Sequence, residues 1–361
     1  MELSEKKDIL SLSPEELTAF ITENGYPKFR AKQIYEWMYR GKGFSEMTTL
    51  PEKMRGELDE IAVLNLPKIK RKLVSEIDGT VKYLFTLSDG NHIESVVMRY
   101  AHGLSICISS QCGCRMGCRF CASTIGGRIR NLLPSELLGQ IIMASADLGE
   151  RISHVVMMGI GEPLDNYDNV IRFLKLVNLS EGLGISYRGI SLSTCGIVPK
   201  ILSLSEESFP ITLSISLHAP NDTARSEIMP INNTYGISEL LYACNTYFQK
   251  TGRRISFEYT LISGKNDSKE AAHELASVLK KHIKGPFHVN LIPLNPVSER
   301  DYKTVDRRFA MKFCETLGSL GINATVRRTL GPDINASCGQ LRRSEENSNK
   351  YRVCNYYQQI I

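Results

Sequence analysis

Cys107-Ile108-Ser109-Ser110-Gln111-Cys112-Gly113-Cys114-Arg115-Met116-Gly117-Cys118-Arg119-Phe120-Cys121 gathers five of the ten cysteines of this 361-residue chain within fifteen positions. The stretch begins as the end of a candidate strand and runs into a polar, glycine-bearing loop. Cys114, Cys118 and Cys121 make Cys-x3-Cys-x2-Cys. Three thiolates on one short loop can each bind one iron of a [4Fe–4S] cube, leaving the fourth iron open to another ligand. Gly113 and Gly117 let the backbone wrap closely around such a group, and Phe120, between two ligands, can cover it. Zinc is the competing reading. A closed zinc site needs four ligands, and the fourth would have to be Cys112 or a remote residue. A set of ordinary buried thiols fits poorly with so polar and glycine-rich a segment.

Outward from the loop toward the C-terminus, short apolar runs alternate with helical stretches. Strands are predicted at 105–109, 154–158, 189–193, 212–217, 256–260, 288–292 and 324–327. Helices are predicted at 134–148, 167–176, 237–249, 268–281 and 306–320, the fourth of them capped by Asp267 with Glu270 three residues on. Strand–helix alternation implies a parallel sheet covered by helices. Six or more such units suggest a closed or partial barrel, whose functional residues would sit at the C-terminal ends of its strands.

Toward the N-terminus the pattern is different. Ser13-Pro14-Glu15-Glu16 carries a Ser cap, Pro at the first helical position and Glu at the third. Further helices fit Phe29 to Tyr39, with Ile34, Trp37 and Met38 on the apolar face, and the stretch after Pro51. Lys28, Arg30, Lys32, Arg40 and Lys42 surround the second helix, either as a solvated face or as a nucleic-acid contact. Two strands, 81–87 and 93–98, flank the turn Ser88-Asp89-Gly90-Asn91. The expected organisation is a helical region over 1–65, a β connector over 66–100, an α/β core over 101–345 and a tail over 346–361.

Composition narrows the class without deciding it. Hydrophobic residues make up 42% and charged residues 23%, which excludes a disordered, collagen-like or coiled-coil chain. Lys and Arg number 44 against 39 Asp and Glu, a balance of +5 that fits a nucleic-acid partner without demanding one. The first residues carry no signal-peptide or transit pattern, and no run approaches the roughly 18 apolar residues of a membrane span. A cytoplasmic protein is therefore expected. In that reducing compartment ten cysteines point to metal or redox chemistry more than to a disulfide framework.

The cysteine spacing at the end of a first barrel strand resembles that of the radical S-adenosylmethionine (SAM) enzymes. Met158-Gly159-Ile160-Gly161-Glu162-Pro163-Leu164, Leu192-Ser193-Thr194, Ser216-Leu217-His218-Ala219, Asn290-Leu291-Ile292-Pro293-Leu294-Asn295 and Asp333-Ile334-Asn335-Ala336-Ser337-Cys338-Gly339-Gln340-Leu341 narrow the resemblance to the RlmN/Cfr family of RNA methyltransferases. It spans about Arg30 to Arg343. The fold so implied is a partial (β/α)6 radical SAM barrel with a small N-terminal helical domain and a short β-hairpin connector.

The resemblance also implies a chemistry. Cys114, Cys118 and Cys121 would hold a [4Fe–4S] cluster. Gly161, Glu162, Ser193, Ser216, Leu217, His218 and Asn295 would contact SAM. One SAM would methylate Cys338, and a second would yield a 5′-deoxyadenosyl radical that takes hydrogen from that methyl group. The resulting radical would add to adenine as a protein–RNA adduct. Cys107 would then attack the Cys338 sulfur and release methylated RNA, with Glu94 removing the ring proton. From the residues alone Glu94 is only a polar position alternating in a strand. Implied partners are 23S rRNA, tRNA and an electron donor such as flavodoxin or ferredoxin, with the enzyme a monomer. The implied product is 2-methyladenosine, at adenosine-2503 of 23S rRNA and adenosine-37 of some tRNAs. The alternative is methylation at C8, as in the Cfr branch. Cys112 leans toward that branch, whereas Cys121-Ala122-Ser123-Thr124-Ile125-Gly126-Gly127, Gly159-Ile160-Gly161-Glu162-Pro163-Leu164-Asp165-Asn166 and Arg253-Arg254-Ile255-Ser256-Phe257-Glu258-Tyr259 resemble RlmN. Asn335 and Ser337 replace the Asp and Ala more usual in the family. Arg128, Arg130, Arg327, Arg328, Arg342 and Arg343 are the expected phosphate contacts near the site. Cys244 and Cys314 read as core residues, and Cys195 and Cys354 have no assigned role.

Overall fold

The computed structural model describes residues 6–336 and 341–342. Cys338, Ser337, Arg343 and Cys354 lie outside the described residues. At the N-terminus β1 (Lys7–Asp8) pairs in parallel with β2 (Ala62–Val63), and α1 (Pro14–Glu23), α2 (Phe29–Met38) and α3 (Glu52–Ile61) lie between them. The Ser13 hydroxyl accepts from the Glu16 N–H at 3.3 Å, while the Ser13 N–H donates to the Glu16 carboxylate at 2.8 Å. This reciprocal cap, with Pro14 leading the helix, is the one that the sequence predicts. Leu17, Ile21, Ile34, Met38, Met54 and Leu58 turn inward and join the same apolar core as the rest of the chain. The region is also tied to the later helix α4 (Pro134–Leu148) by polar contacts. The Ser135 N–H donates to the Ser11 hydroxyl at 3.0 Å and the Ser135 hydroxyl to the Asp8 carboxylate at 2.6 Å.

The main sheet has ten strands. It opens with antiparallel β3 (Lys68–Val74), β4 (Val81–Thr86) and β5 (His92–Tyr100), followed by β6 (Gly103–Cys107). A small antiparallel pair, β7 (Gln111–Gly113) and β8 (Arg128–Asn131), brackets the cysteine loop. Then come α4 (Pro134–Leu148), β9 (Ile152–Met157), α5 (Tyr167–Val177), β10 (Ile190–Thr194), α6 (Val198–Glu206), β11 (Thr212–Ser216), α7 (Asp222–Ile228), α8 (Ile237–Thr251), β12 (Ile255–Leu261), α9 (Lys269–His282), β13 (Phe287–Pro293), α10 (Arg307–Ser319) and β14 (Ala324–Val326).

The spatial order is β3-β4-β5-β6-β9-β10-β11-β12-β13-β14, parallel from β6 onward. Each parallel strand is laid beside its predecessor after a helical return. With right-handed crossovers this winds the sheet in one direction, as in a barrel wall, instead of doubling it back. Among the described residues β14 and β3 pair on one side only, so the ladder stays open. β12 is buried along its whole length, as a strand covered on both faces must be. The partial α/β barrel expected from the sequence is therefore the fold.

Three details differ from the sequence reading. The connector has a third strand, β3, which makes it a continuous extension of the barrel sheet. Its sequence, Lys68-Ile69-Lys70-Arg71-Lys72-Leu73-Val74, is mostly charged and exposed, so it carries little apolar signal; charge of this kind blunts an open sheet edge. Helices α6 and α7 fill gaps that the reading left unassigned. The cap of α9 is Ser268, whose side chain accepts from the Ala271 N–H, while Asp267 instead accepts from the Gly264 N–H. Among the described residues no helix is long and apolar enough to cross a membrane.

Candidate active site

The C-terminal ends of the parallel strands open onto two adjoining cavities. The inner one, about 140 Å³, is lined by Cys114, Cys118, Cys121, Gly161, Glu162, Ser193, Thr194, Cys195, Ser216 and His218. The outer one, about 370 Å³, is lined by Val96, Met98, Cys107, Asn295, Arg327, Arg328, Asn335 and Ala336, among others. Phe120, Cys121 and Met158 border both. The fold thus gathers most of the expected site residues at one mouth. Leu217 does not line either cavity; its side chain is in the core, and its N–H donates to the Glu258 carbonyl at 3.0 Å.

The cysteine loop is shaped by its own backbone. Gly113 has φ +77°, and a Cβ there would lie 2.0 Å from the Gly127 carbonyl oxygen, so no other residue fits the approach. The Cys114 N–H donates to that same carbonyl at 3.1 Å. The Thr124 hydroxyl donates to the carbonyls of Cys118 (3.0 Å) and Cys121 (2.9 Å), and the Arg119 N–H ties the loop to the Ile228 carbonyl at 2.9 Å. Burial pushes the Cys114 thiol up to about 12, with Glu162 and Cys121 adding to the shift. Burial likewise raises Cys118 and Cys195 well above the usual thiol range. A metal centre must therefore displace protons from these thiols. Among the described residues no three His, Cys, Asp or Glu groups are placed to hold a single metal ion. Three thiols around one cavity are the donor set for a cube, in which each serves a separate iron.

The floor beside the loop is built from buried polar groups that grip backbone. Glu162 accepts from the Leu164 N–H (3.0 Å) and the Cys195 N–H (2.7 Å); burial raises its carboxyl and these donors pull it back. Arg225, fully buried, donates to the carbonyls of Leu217 (3.1 Å), Cys195 (2.7 Å) and Ser216 (3.1 Å) and to the Asn232 side chain (2.9 Å). His218 adopts φ +57°, unusual for a residue with a Cβ. Asn266 clamps it by donating to the carbonyls of His218 and Thr260, both at 2.7 Å. The Thr260 N–H donates to His218 Nδ1 at 2.9 Å, which leaves the proton of the neutral ring on Nε2. Burial and the Arg225 charge hold the ring down to about 3, so it stays neutral, and it packs edge-on against Phe120 with ring centres 5.1 Å apart. Arg225 and Asn266 were not legible as site residues, because their partners are carbonyl groups remote in sequence.

The outer cavity is bounded by the antiparallel strands. Lys82, Val96 and Cys107 face one another across β4, β5 and β6, so they share a sheet face. By alternation Glu94 lies on the same face as Val96 and Met98. Glu94 is buried and ion-paired to the fully buried Lys82 at 3.0 Å. Its second oxygen accepts from the Arg342 N–H at 2.6 Å. Lys82 also donates to the Asn335 carbonyl at 2.9 Å. Cys107 is almost fully buried. Cys338 lies outside the described residues, between Asn335 and Arg342, which both contact this pair.

The expected phosphate contacts are placed unevenly. Arg327 and Arg328 line the outer cavity. Arg128 is instead paired with Asp165 at 2.8 Å, and Arg130 with Asp89 and Glu136 at 2.5 and 2.7 Å. Those two hold the β7–β8 pair to its surroundings. Arg342 is buried. Cys112 and Cys244 are core residues.

A one-directional α/β barrel with a three-thiol loop at its mouth defines a radical SAM enzyme, and residues 108–276 match the family model of the radical SAM superfamily. Residues 7–64 match the model of the ribosomal RNA large subunit methyltransferase N-terminal domain. The chain is 54% identical over 339 residues to the probable dual-specificity RNA methyltransferase RlmN of Clostridium botulinum (strain Alaska E43 / Type E3), covering 94% of this chain and 97% of that one. It is 51% identical to the RlmN of Lachnoclostridium phytofermentans, covering 95% and 96%. A crystal structure of a radical SAM methyltransferase from Sphaerobacter thermophilus superposes with a TM-score of 0.88 at 40% identity, covering 92% of this chain and 98% of that one. The chain belongs to the RlmN family of radical SAM RNA methyltransferases.

Proposed function

We propose that this enzyme methylates C2 of adenosine, at adenosine-2503 of 23S rRNA and adenosine-37 of some tRNAs, through an S-methylated Cys338 and a transient protein–RNA adduct. Cys114, Cys118 and Cys121 would hold a [4Fe–4S] cluster, and Gly161, Glu162, Ser193, Ser216, Leu217, His218 and Asn295 would contact SAM, which is consumed twice per turnover. When bound, cluster and SAM supply the one-electron chemistry that opens an unactivated C–H bond. His218, fixed with its proton on Nε2, donates a hydrogen bond into the inner cavity. Cys338 receives the methyl group and becomes linked through it to the adenine. Glu94 takes the ring proton. The Cys107 thiolate then attacks the Cys338 sulfur: the S–S bond forms as the bond from that sulfur to the methylene carbon breaks, the odd electron of the adduct would pass to the bound cluster, and the carbon left on the ring takes up a proton to become the methyl group of the released RNA. The disulfide must be reduced before the next cycle, which suits a reducing cytoplasm; the enzyme would work as a monomer, with flavodoxin or ferredoxin as electron donor to the cluster.

One observation carries this reading: Cys107 borders the same cavity as the cluster-loop residue Cys121, and that cavity also receives Asn335 and Ala336, just ahead of Cys338. The C8 alternative rested on Cys112, which is a fully buried core residue and lines neither cavity. The test is anaerobic incubation with rRNA, SAM and reductant, followed by nucleoside mass spectrometry. We expect 2-methyladenosine from the wild type, none from Cys338→Ala, and a covalent protein–RNA species from Cys107→Ala. Only 8-methyladenosine, or an active Cys338→Ala enzyme, contradicts the proposal.

A further inference from the structure

We infer that Lys82 is a positioning residue for adduct resolution: its ammonium holds the Glu94 side chain in place as the ring-proton acceptor, and its contacts tie that acceptor to the residues flanking Cys338. The inference rests on the thiol-relay reading above. Lys82 has no solvent exposure and Glu94 only 3%. A carboxylate this buried needs a cation or hydrogen-bond donors on its oxygens. The Lys82 ammonium, 3.0 Å from one oxygen, is that cation, and the Arg342 N–H donates to the other at 2.6 Å.

The second part of the inference is geometric. Lys82 donates to the Asn335 carbonyl, and Glu94 accepts from the Arg342 N–H. One ion pair therefore holds both flanks of the short stretch that contains Cys338. Across the sheet, Lys82 stands in the same row as Cys107, with Val96 between them. Lys82 thus touches both the proton acceptor and one flank of the carrier stretch, two strands across the same sheet face from the resolving thiol. In the step itself the ring C–H proton passes to a Glu94 oxygen and the bonding electrons stay in the ring. Lys82 neither gives nor takes a proton in this step.

The experiment compares Lys82→Gln, which keeps a hydrogen-bond donor and removes the charge, with Lys82→Met, Glu94→Gln and the Lys82→Gln/Glu94→Gln double variant. Iron content and thermal midpoint report folding, and a denaturing gel with labelled RNA reports the adduct. For Lys82→Gln we expect KM for RNA to hold, kcat to fall by about a hundredfold, the lower range for a positioned proton acceptor, and the adduct band to accumulate. The double variant should lose little more than Glu94→Gln alone, because Lys82 acts through Glu94. Wild-type turnover by Lys82→Gln overturns the inference. So does loss of kcat and RNA affinity together with no adduct in a folded, iron-loaded protein, which marks a merely structural lysine. Should Lys82→Met fail to fold, Lys82→Gln decides alone. Should both fail to fold, the inference is overturned, because Lys82 is then needed for the fold itself. Cys107→Ala, run in parallel, separates the two levels. If it traps no adduct, the relay reading fails and this inference with it. If it traps adduct while Lys82→Gln resolves normally, only this inference fails.

Discussion

The inner and outer cavities are assembled by opposite means. Around the inner one, buried polar side chains are committed to backbone: Arg225 to three strand-end carbonyls, Glu162 to two N–H groups, Asn266 to the loop of His218. The outer one is lined by a segment, Gly331 to Ala336, that is held in place by groups far away along the chain. Ser75 and the Glu76 N–H hold Asp333 at 2.7 and 3.0 Å, Asp78 accepts from the Gly331 N–H at 2.9 Å, and Lys82 reaches Asn335. Carbonyl-gripping groups preorganise a site for a small ligand that must be held in one pose. Contacts between a loop and a strand face can part and re-form, as admitting a bulky RNA substrate requires.

Four variants can break or sharpen this contrast. Cys118→Ala should have the largest effect, with iron and sulfide per chain far below the wild-type level by chemical assay and no methylated product. Arg225→Met should cost about 3 kcal/mol or more of folding stability, since several buried carbonyls lose their donor at once; urea unfolding measures it. If stability is unchanged, the inner floor is not built as described.

His218 gives a pH test. Its folded value lies near 3, against about 6.5 when unfolded. As pH falls below 6.5 the unfolded chain takes up a proton that the folded chain refuses until about 3. The stability contribution is therefore complete above 6.5 and is lost through that window, at up to about 1.4 kcal/mol per pH unit. His218→Asn should show a shallower acid slope between pH 6 and 4 than the wild type; equal slopes would mean that the ring takes up protons freely. Asp333→Ala should be mildest, visible chiefly as faster proteolysis near residues 331–336. Resistance equal to the wild type would mean that the outer boundary is as fixed as the inner one.

What the sequence disclosed follows the range of each signal. Helix α4 is read to the residue because Pro134 starts it and Gly149, at φ +68°, stops it. The cysteine loop and strand-end glycines are local patterns and were legible too. Lys82 was not. It sits in a buried strand, and only its partners, Glu94 and the Asn335 carbonyl, explain a charge there. Arg128 and Arg130 read as phosphate ligands because a sequence shows charges and not the Asp and Glu that neutralise them. The strand β3 was missed because its register, not its hydropathy, makes it a strand.

The bonds from the β3–β5 strands to the 331–342 segment join residues about 250 positions apart: Ser75 and Asp333 by 258, Lys82 and Asn335 by 253. During synthesis the barrel strands can be laid down one beside the next as they emerge, whereas this closure waits for nearly the whole chain. A nascent molecule can thus shape its cysteine loop and inner floor well before the 331–336 segment docks. The outer cavity is walled in after the inner one already has its form.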